Sequence, residues 1–278
     1  MKIILYLFFS IFHNEILIPS ESFSLIGIKE ISFFDIGVAN FEEVKKDIIL
    51  FSISDWLIDS KIYHFTYYNK KIKIGISSSY FDFGKFEYYE KASNNPIFYY
   101  KPFSFLTGIY YPFKIDPELH LNSGIKYIYS VIEEYTSKNF LLDLFLFFKP
   151  SKFENLKFEG GIRNFGFSSK FYKRYHSEPF LFFLNSEFFY KRFIFKVNYR
   201  RGIYFKIKED FNHKIGFSAS YNFLKNLDLL IGFSYPEDIG IFSIGFEFKF
   251  PFINLRYSYR PSKFFDDIHF ISITNAGI

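Results

Sequence analysis

The chain of 278 residues suits one sheet-rich domain better than two large ones. Aromatics at 25%, with Phe 45 and Tyr 23 against one Met and only Ala39, Ala92, Ala219 and Ala276, exclude a helical bundle and favour an all-β protein. No Cys means no disulfide, thiolate metal site or Cys nucleophile, and 34 basic against 29 acidic residues (net +5, no long basic run) make a mixed polar surface rather than a nucleic-acid footprint.

Met1 and Lys2 precede a short apolar run, Ile3–Phe12, broken only by Ser10. A charged start and an apolar stretch too short to span a bilayer predict a signal peptide over residues 1–22, with Ser20 and Ser22 the small residues near its end. The remaining 23–278 is then an exported domain. Its longest apolar segment, Phe140–Phe148, is split by Asp143, which excludes a helical membrane protein but not a β-barrel.

Alternation of period two predicts strands at Asp47–Ile53, Lys61–Tyr68, Lys71–Tyr80, Pro102–Phe113, Glu118–Val131, Asn139–Phe148, Asn155–Phe165, Pro179–Tyr190 and Arg192–Arg200. Four more follow. Ile215 to Phe223, Leu227 to Tyr235 and Phe242 to Phe250 each carry apolar residues at every second position, as do Ile253 to Tyr259, and Asp267–Thr274 closes the series. The links are hairpin-length, so the strands form an antiparallel meander and close into an up-and-down barrel of about fourteen strands (12–14).

Alternation alone fits a soluble sandwich as well as a membrane barrel; what differs is the face that is wet. Tyr80, Tyr129, Tyr199, Tyr235 and Tyr259 end the apolar faces as an interfacial girdle does. Gly216, Ser218 and Ser220, with Glu247, Lys249, Arg256 and Arg260, suit a polar lumen. The expectation is a barrel in the outer membrane of a diderm bacterium, with lipid as its first partner.

Ile74–Glu90, IGISSSYFDFGKFEYYE, resembles a strand-and-turn of the PorV/PorQ family of FadL-like outer-membrane barrels, with Tyr80, Asp82 and Gly84 at the matching positions. Leu121–Pro150 is similar to the family's next strand pair through Lys126, Tyr135 and Asp143, and Leu156–Gly166 to its hairpin through Arg163, Asn164 and Gly166. The segment Ile253–Thr274 resembles the family's ending through Tyr257, Tyr259, Pro261, Asp267, His269 and Ser272. The ordered matches run over roughly residues 50 to 275. Ile28–Ala39 departs from the family's Gly-rich start, Asn40–Ile53 lacks its plug element, and Phe264–Phe265 replaces its turn glycine.

The resemblance implies a non-enzymatic component of a type IX-like secretion pathway. Its loops Phe81–Pro102 and Phe167–Pro179 would dock secretion-system subunits or secreted cargo. A FadL-like channel for hydrophobic small molecules, released sideways through a gap in the wall, is the alternative; a continuous apolar lumen favours transport and a polar, filled one favours docking.

Other chemistry finds little support. His13, His64, His120, His176, His213 and His269 are too dispersed for a sequence-encoded zinc site, and no cofactor is expected. A hydrolase would need Ser218, Ser220 or Ser272 within reach of His269. Glu133–Glu134, Glu209–Asp210 and Asp266–Asp267 read as solvated turns, and FYKRYH (171–176) as an exposed loop. Asp143 shares a face with Leu141, Phe145 and Phe147; a carboxylate facing lipid is costly, so it points inward, toward lumen cations such as Lys126, Arg163 or Lys157.

Overall fold

The computed structural model describes residues 47–55, 60–88, 98–168, 170–171, 174–175, 180–203, 213–235, 242–261 and 267–275. The expected signal peptide, Ile28–Ala39, and Glu209–Asp210 lie outside them. The strands are β1 (Ile48–Asp55), β2 (Lys61–Asn69), β3 (Ile74–Asp82), β4 (Phe86–Tyr88), β5 (Phe98–Tyr100), β6 (Phe103–Lys114), β7 (Leu119–Ile132), β8 (Tyr135–Phe148) and β9 (Leu156–Ser168). They continue as β10 (Lys170–Phe171), β11 (Arg174–Tyr175), β12 (Phe180–Tyr190), β13 (Phe193–Ile203), β14 (His213–Leu224), β15 (Leu227–Tyr235), β16 (Phe242–Lys249), β17 (Ile253–Arg260) and β18 (Ile268–Asn275).

Fourteen strands close into one antiparallel barrel, β1-β18-β17-β16-β15-β14-β13-β12-β9-β8-β7-β6-β3-β2, while β4–β5 and β10–β11 form two small separate hairpins. Each predicted strand overlaps one barrel strand. The ends differ where turn geometry overrides alternation: β3 begins at Ile74 because Lys71–Lys73 form a turn, with Lys73 at φ 57. β8 begins at Tyr135 because Glu133–Glu134 alone reverse the chain, Ile132 pairing with Tyr135. Neighbours in the ring are neighbours in the chain of barrel strands except at β1–β18, where Leu50 pairs with Thr274 and Asp55 with His269.

One rim carries the short connections 70–73, 115–118, 191–192 and 225–226, and both β18's end and β1's start. The other carries the long ones, 83–102, 169–179 and 204–212. In outer-membrane barrels short turns face the periplasm and long loops the exterior.

The wet face is settled by burial. On β8 Leu142 and Leu144 are 45% and 42% exposed while Asp143 between them is 1% exposed. The same inversion runs round the ring: Phe51, Phe65, Ile109, Phe182, Phe217, Ile231, Ile244 and Ile271 face out, whereas Ser52, His64, Asn185, Glu187, Ser218, Glu247 and Arg256 are buried inside. An apolar band encircling the molecule far exceeds the few hundred Å² that a soluble monomer exposes, and it matches the hydrocarbon layer of a bilayer.

Candidate functional site: the barrel lumen

A lateral row of paired residues crosses the inner wall from β2 to β8: Tyr68, Gly75, Tyr110, Gly124 and Asp143. Large and absent side chains alternate, and the Tyr110 ring lies over Gly108 and Gly124. A Cβ on Gly124 would stand 2.0 Å from Tyr110 Cε1, and one on Gly108 2.6 Å from Cε2. Laid flat in this way, Tyr110 directs its hydroxyl to Asp143 Oδ2, donating at 3.3 Å.

Asp143 is the hub. Pairing between β8 and β9 shifts from Leu142↔Phe165 to Leu144↔Ile162, a bulge that sets both Arg163 and Asn164 against Asp143. Asn164 adopts φ 60, a region that asparagine tolerates better than most residues. Its backbone N–H donates to Asp143 Oδ1 at 3.0 Å. Lys126 Nζ donates to the same oxygen at 2.8 Å and to Asn164 Oδ1 at 2.5 Å. Buried without donors, the carboxylate would cost several kcal/mol; three donors from three strands compensate it. Gly166 completes the bulge, since a Cβ there would collide with Phe140 O.

Above the bulge, the Arg163 guanidinium lies 5.0 Å from the Phe145 ring centroid and 4.7 Å from that of Phe183, the rings being 5.5 Å apart across Gly161. Of the cations expected near Asp143, Lys126 is bonded to it. Lys157 is not part of this group: its place at the start of β9 puts it by the short-turn rim, 4.9 Å from the Phe189 ring. Ile48, Tyr68, Tyr110, Phe145 and Phe183 form one buried apolar cluster, and Leu106, Ile128 and Leu141 another.

The opposite wall is polar. Arg256 pairs with Glu247 at 2.6 Å, Lys196 with Glu187 at 3.9 Å, and Asn185 donates to Glu159 at 3.2 Å. Ser220, Ser258, Ser272, Ser52 and Ser54 carry this lining round to β1. The lumen lining therefore mixes buried aromatic rings with buried hydroxyl and charged groups. Among the described residues β9 pairs with β12 as far as Arg163↔Leu181, and just beyond that pair the Phe165 and Phe180 rings lie 6.1 Å apart.

The other family-matching positions fall elsewhere. Tyr80 faces out at the long-loop rim against Tyr63 and Phe103, and Asp82 accepts the N–H of Gly84, at φ 81, where the chain leaves the barrel. On β5 burial, and then the Glu133 charge, raises the Tyr100 hydroxyl above its ordinary pKa. Tyr135 opens β8 and Pro261 follows β17. The Tyr257 hydroxyl meets His269 Nδ1 at 2.9 Å, and that of Tyr259 donates to Asp267 at 2.6 Å, a cluster on the outer face at the long-loop rim.

Ser272 points inward and His269 outward, so that hydrolase pairing does not form. Instead, His64 contacts Ser79 at 2.7 Å and Thr66 at 2.8 Å, its far nitrogen held by a hydroxyl rather than a carboxylate. Among the described residues no three His, Cys, Asp or Glu side chains gather as a metal site. Alternation located the inward residues; the Tyr110 shelf and the bulge it missed, although glycine at 108 and 124 on a lumen face flanking an aromatic is a readable signal.

No protein-family model matches the sequence, and no curated protein does. Solved structures match in fold. The CymD monoaromatic hydrocarbon channel aligns with a TM-score of 0.58 at 8% identity, over 84% of this chain and 89% of that one. The Ralstonia pickettii toluene transporter TbuX gives 0.57 at 7% identity, over 82% and 88%. A Pseudomonas aeruginosa FadL homologue gives 0.54 at 9%, over 86% and 92%. The closed fourteen-stranded barrel is thus the fold of FadL-like outer-membrane proteins.

Proposed function

We propose that this chain is a non-enzymatic outer-membrane channel for hydrophobic small molecules. The observation that carries this reading is the aromatic shelf of Tyr68, Tyr110, Phe145 and Phe183 inside a barrel whose fold resembles that of monoaromatic hydrocarbon and toluene channels. Apolar solutes enter at the long-loop rim, rest against the shelf, and leave sideways into the bilayer. The shelf and the polar residues beside it are closely packed and buried, so the lumen is of the mixed, filled kind that counts for docking, and transport requires this packing to open around the solute. Docking within a type IX-like secretion pathway, the function the PorV/PorQ resemblance implies, is the second reading. It is favoured by the ordered sequence motifs and less supported than transport.

The test is uptake of radiolabelled toluene and of a polar sugar by liposomes containing the folded barrel. Toluene entry above that of empty liposomes, reduced by Phe183→Ala, supports transport. Equal entry with and without protein, together with co-purification of secretion-system subunits from the native membrane, would replace this reading with docking.

A further inference from the structure

The short-turn rim has a charge pattern that a solute channel does not need. Along the contiguous arc from β8 to β15, turn residues 149–155, 191–192 and 225–226 contain Lys149, Lys152, Lys191, Arg192 and Lys225 against one carboxylate, Glu154. Of the other short turns, 70–73 contributes Lys70, Lys71 and Lys73 with no acid and 250–252 carries no charge, whereas 115–118 beside the arc contributes Asp116 and Glu118, the Glu118 carboxylate accepting the Ser151 N–H at 2.9 Å. The opposite rim is mixed: Asp55, Asp82, Glu87, Glu133, Glu134 and Asp267 lie there among Lys61, Lys85, Lys101, Lys170 and Arg174.

Immediately below these cations runs a belt of outward rings. Phe148 and Phe158 lie 6.4 Å apart, Phe188 and Phe195 6.5 Å, and Phe193 and Tyr221 4.6 Å, forming a band across β8, β9 and β12 to β14. Lys191 Nζ stands 5.3 Å from the Tyr190 ring centroid, its stem on the belt and its charge beyond it. At the tip of the β8–β9 turn Phe153 is 58% exposed, flanked by Lys152 and Glu154. Rings at the hydrocarbon boundary with ammonium and guanidinium groups one step farther out are placed to meet lipid phosphates, and within the arc's own turns Glu154 is the one carboxylate among five cations.

We infer that the arc formed by Lys149, Lys152, Lys191, Arg192 and Lys225 binds anionic phospholipid headgroups in the leaflet facing the short turns. The site orders the surrounding lipid and fixes the depth and tilt of the barrel. It rests on the membrane placement and orientation proposed above, but not on whether the lumen conducts.

The folded protein, reconstituted in vesicles of equal phosphatidylglycerol and phosphatidylcholine, is released into detergent and its retained lipids are counted by native mass spectrometry. Phosphatidylglycerol should be retained over phosphatidylcholine by about fivefold or more, the factor that one engaged cation supplies at low salt, and the preference should shrink at high salt. Lys191→Gln/Arg192→Gln/Lys225→Gln should bring the ratio close to one, and Lys149→Gln/Lys152→Gln should reduce it. A control at the other rim, Lys61→Gln/Lys85→Gln/Lys101→Gln, should leave it unchanged. Heat-modified gel mobility establishes that each variant is folded.

Equal retention of both lipids by the unaltered protein, or an equal loss in the control, overturns the inference. A protein that enters neither vesicle overturns the membrane placement and the inference with it; insertion with normal lipid preference but no toluene uptake overturns only the channel reading.

Discussion

Replacing Gly124 by Ala tests the idea that the lumen wall is built around the Tyr110 ring. A new Cβ would stand 2.0 Å from Tyr110 Cε1, against 3.4–4 Å for an ordinary contact, so the ring must retreat by more than an ångström. It cannot do so and keep its hydroxyl on Asp143. Overpacking a filled site costs about 1–3 kcal/mol, and losing a hydrogen bond to a charged group costs about 1.5–3 kcal/mol. Because the ring can trade one penalty for part of the other, the expected loss is about 2–4 kcal/mol. In a Tyr110→Ala background the same change meets no ring. Gly124 is then an ordinary strand glycine, and Ala there should stabilise by about 0.5–1 kcal/mol. Urea unfolding in detergent, followed by heat-modified gel mobility, measures all four corners of the cycle. The reasoning requires a reversal of sign; a destabilisation of equal size in both backgrounds refutes it.

Other consequences follow from the same wall. Asp143→Asn should destabilise by about 3–5 kcal/mol, because it leaves the Lys126 ammonium buried without its counter-charge. Lys126→Met added to it should recover much of that loss, and additive costs in the same unfolding assay would show that the pair does not interact. Asn164→Gly should be more stable than Asn164→Ala by about 1 kcal/mol, since φ 60 penalises a Cβ and both lose the Lys126 contact. Leu142→Arg on the lipid side should lower folding into liposomes by about 2–4 kcal/mol, in a titration of the folded band against urea; a change near zero would mean that this face is wet.

Much of this architecture was legible because the chain repeats one rule. A strand between lipid and lumen must alternate, and β8 does so from Thr136 to Phe148, which placed Asp143 inward beside Leu141 and Phe145. Lys126 was legible as its partner for the same reason. What alternation cannot express is a change of register. The bulge at Asn164 places two consecutive residues on the lumen side, and the turns at Glu133 and Lys191 need φ 54 from residues with no such reputation. The five residues of β4 and β10 that pair with β5 and β11 outside the barrel were invisible for another reason: segments of two or three residues hold too few positions to show a period. Tyr110 was hidden in the run Ile109–Tyr111, where only the glycines across the wall distinguish the ring that points in.

The β1–β18 junction has a consequence for how the molecule comes into being. It is stitched by side chains as well as by the ladder: Ile49 N–H donates to Asn275 Oδ1 at 3.0 Å, Thr274 donates to Ile49 O at 3.2 Å, and Ser54 to His269 O at 3.0 Å. The partners are more than 210 positions apart in the chain, whereas every other seam joins consecutive barrel strands. Until this last contact forms, a sheet in hydrocarbon has two rows of unpaired amides, each group costing several kcal/mol. A ring missing one strand is therefore not thirteen-fourteenths of a barrel but an assembly with no resting place in lipid. Folding and insertion become a single event, completed only when the first strand finds the last.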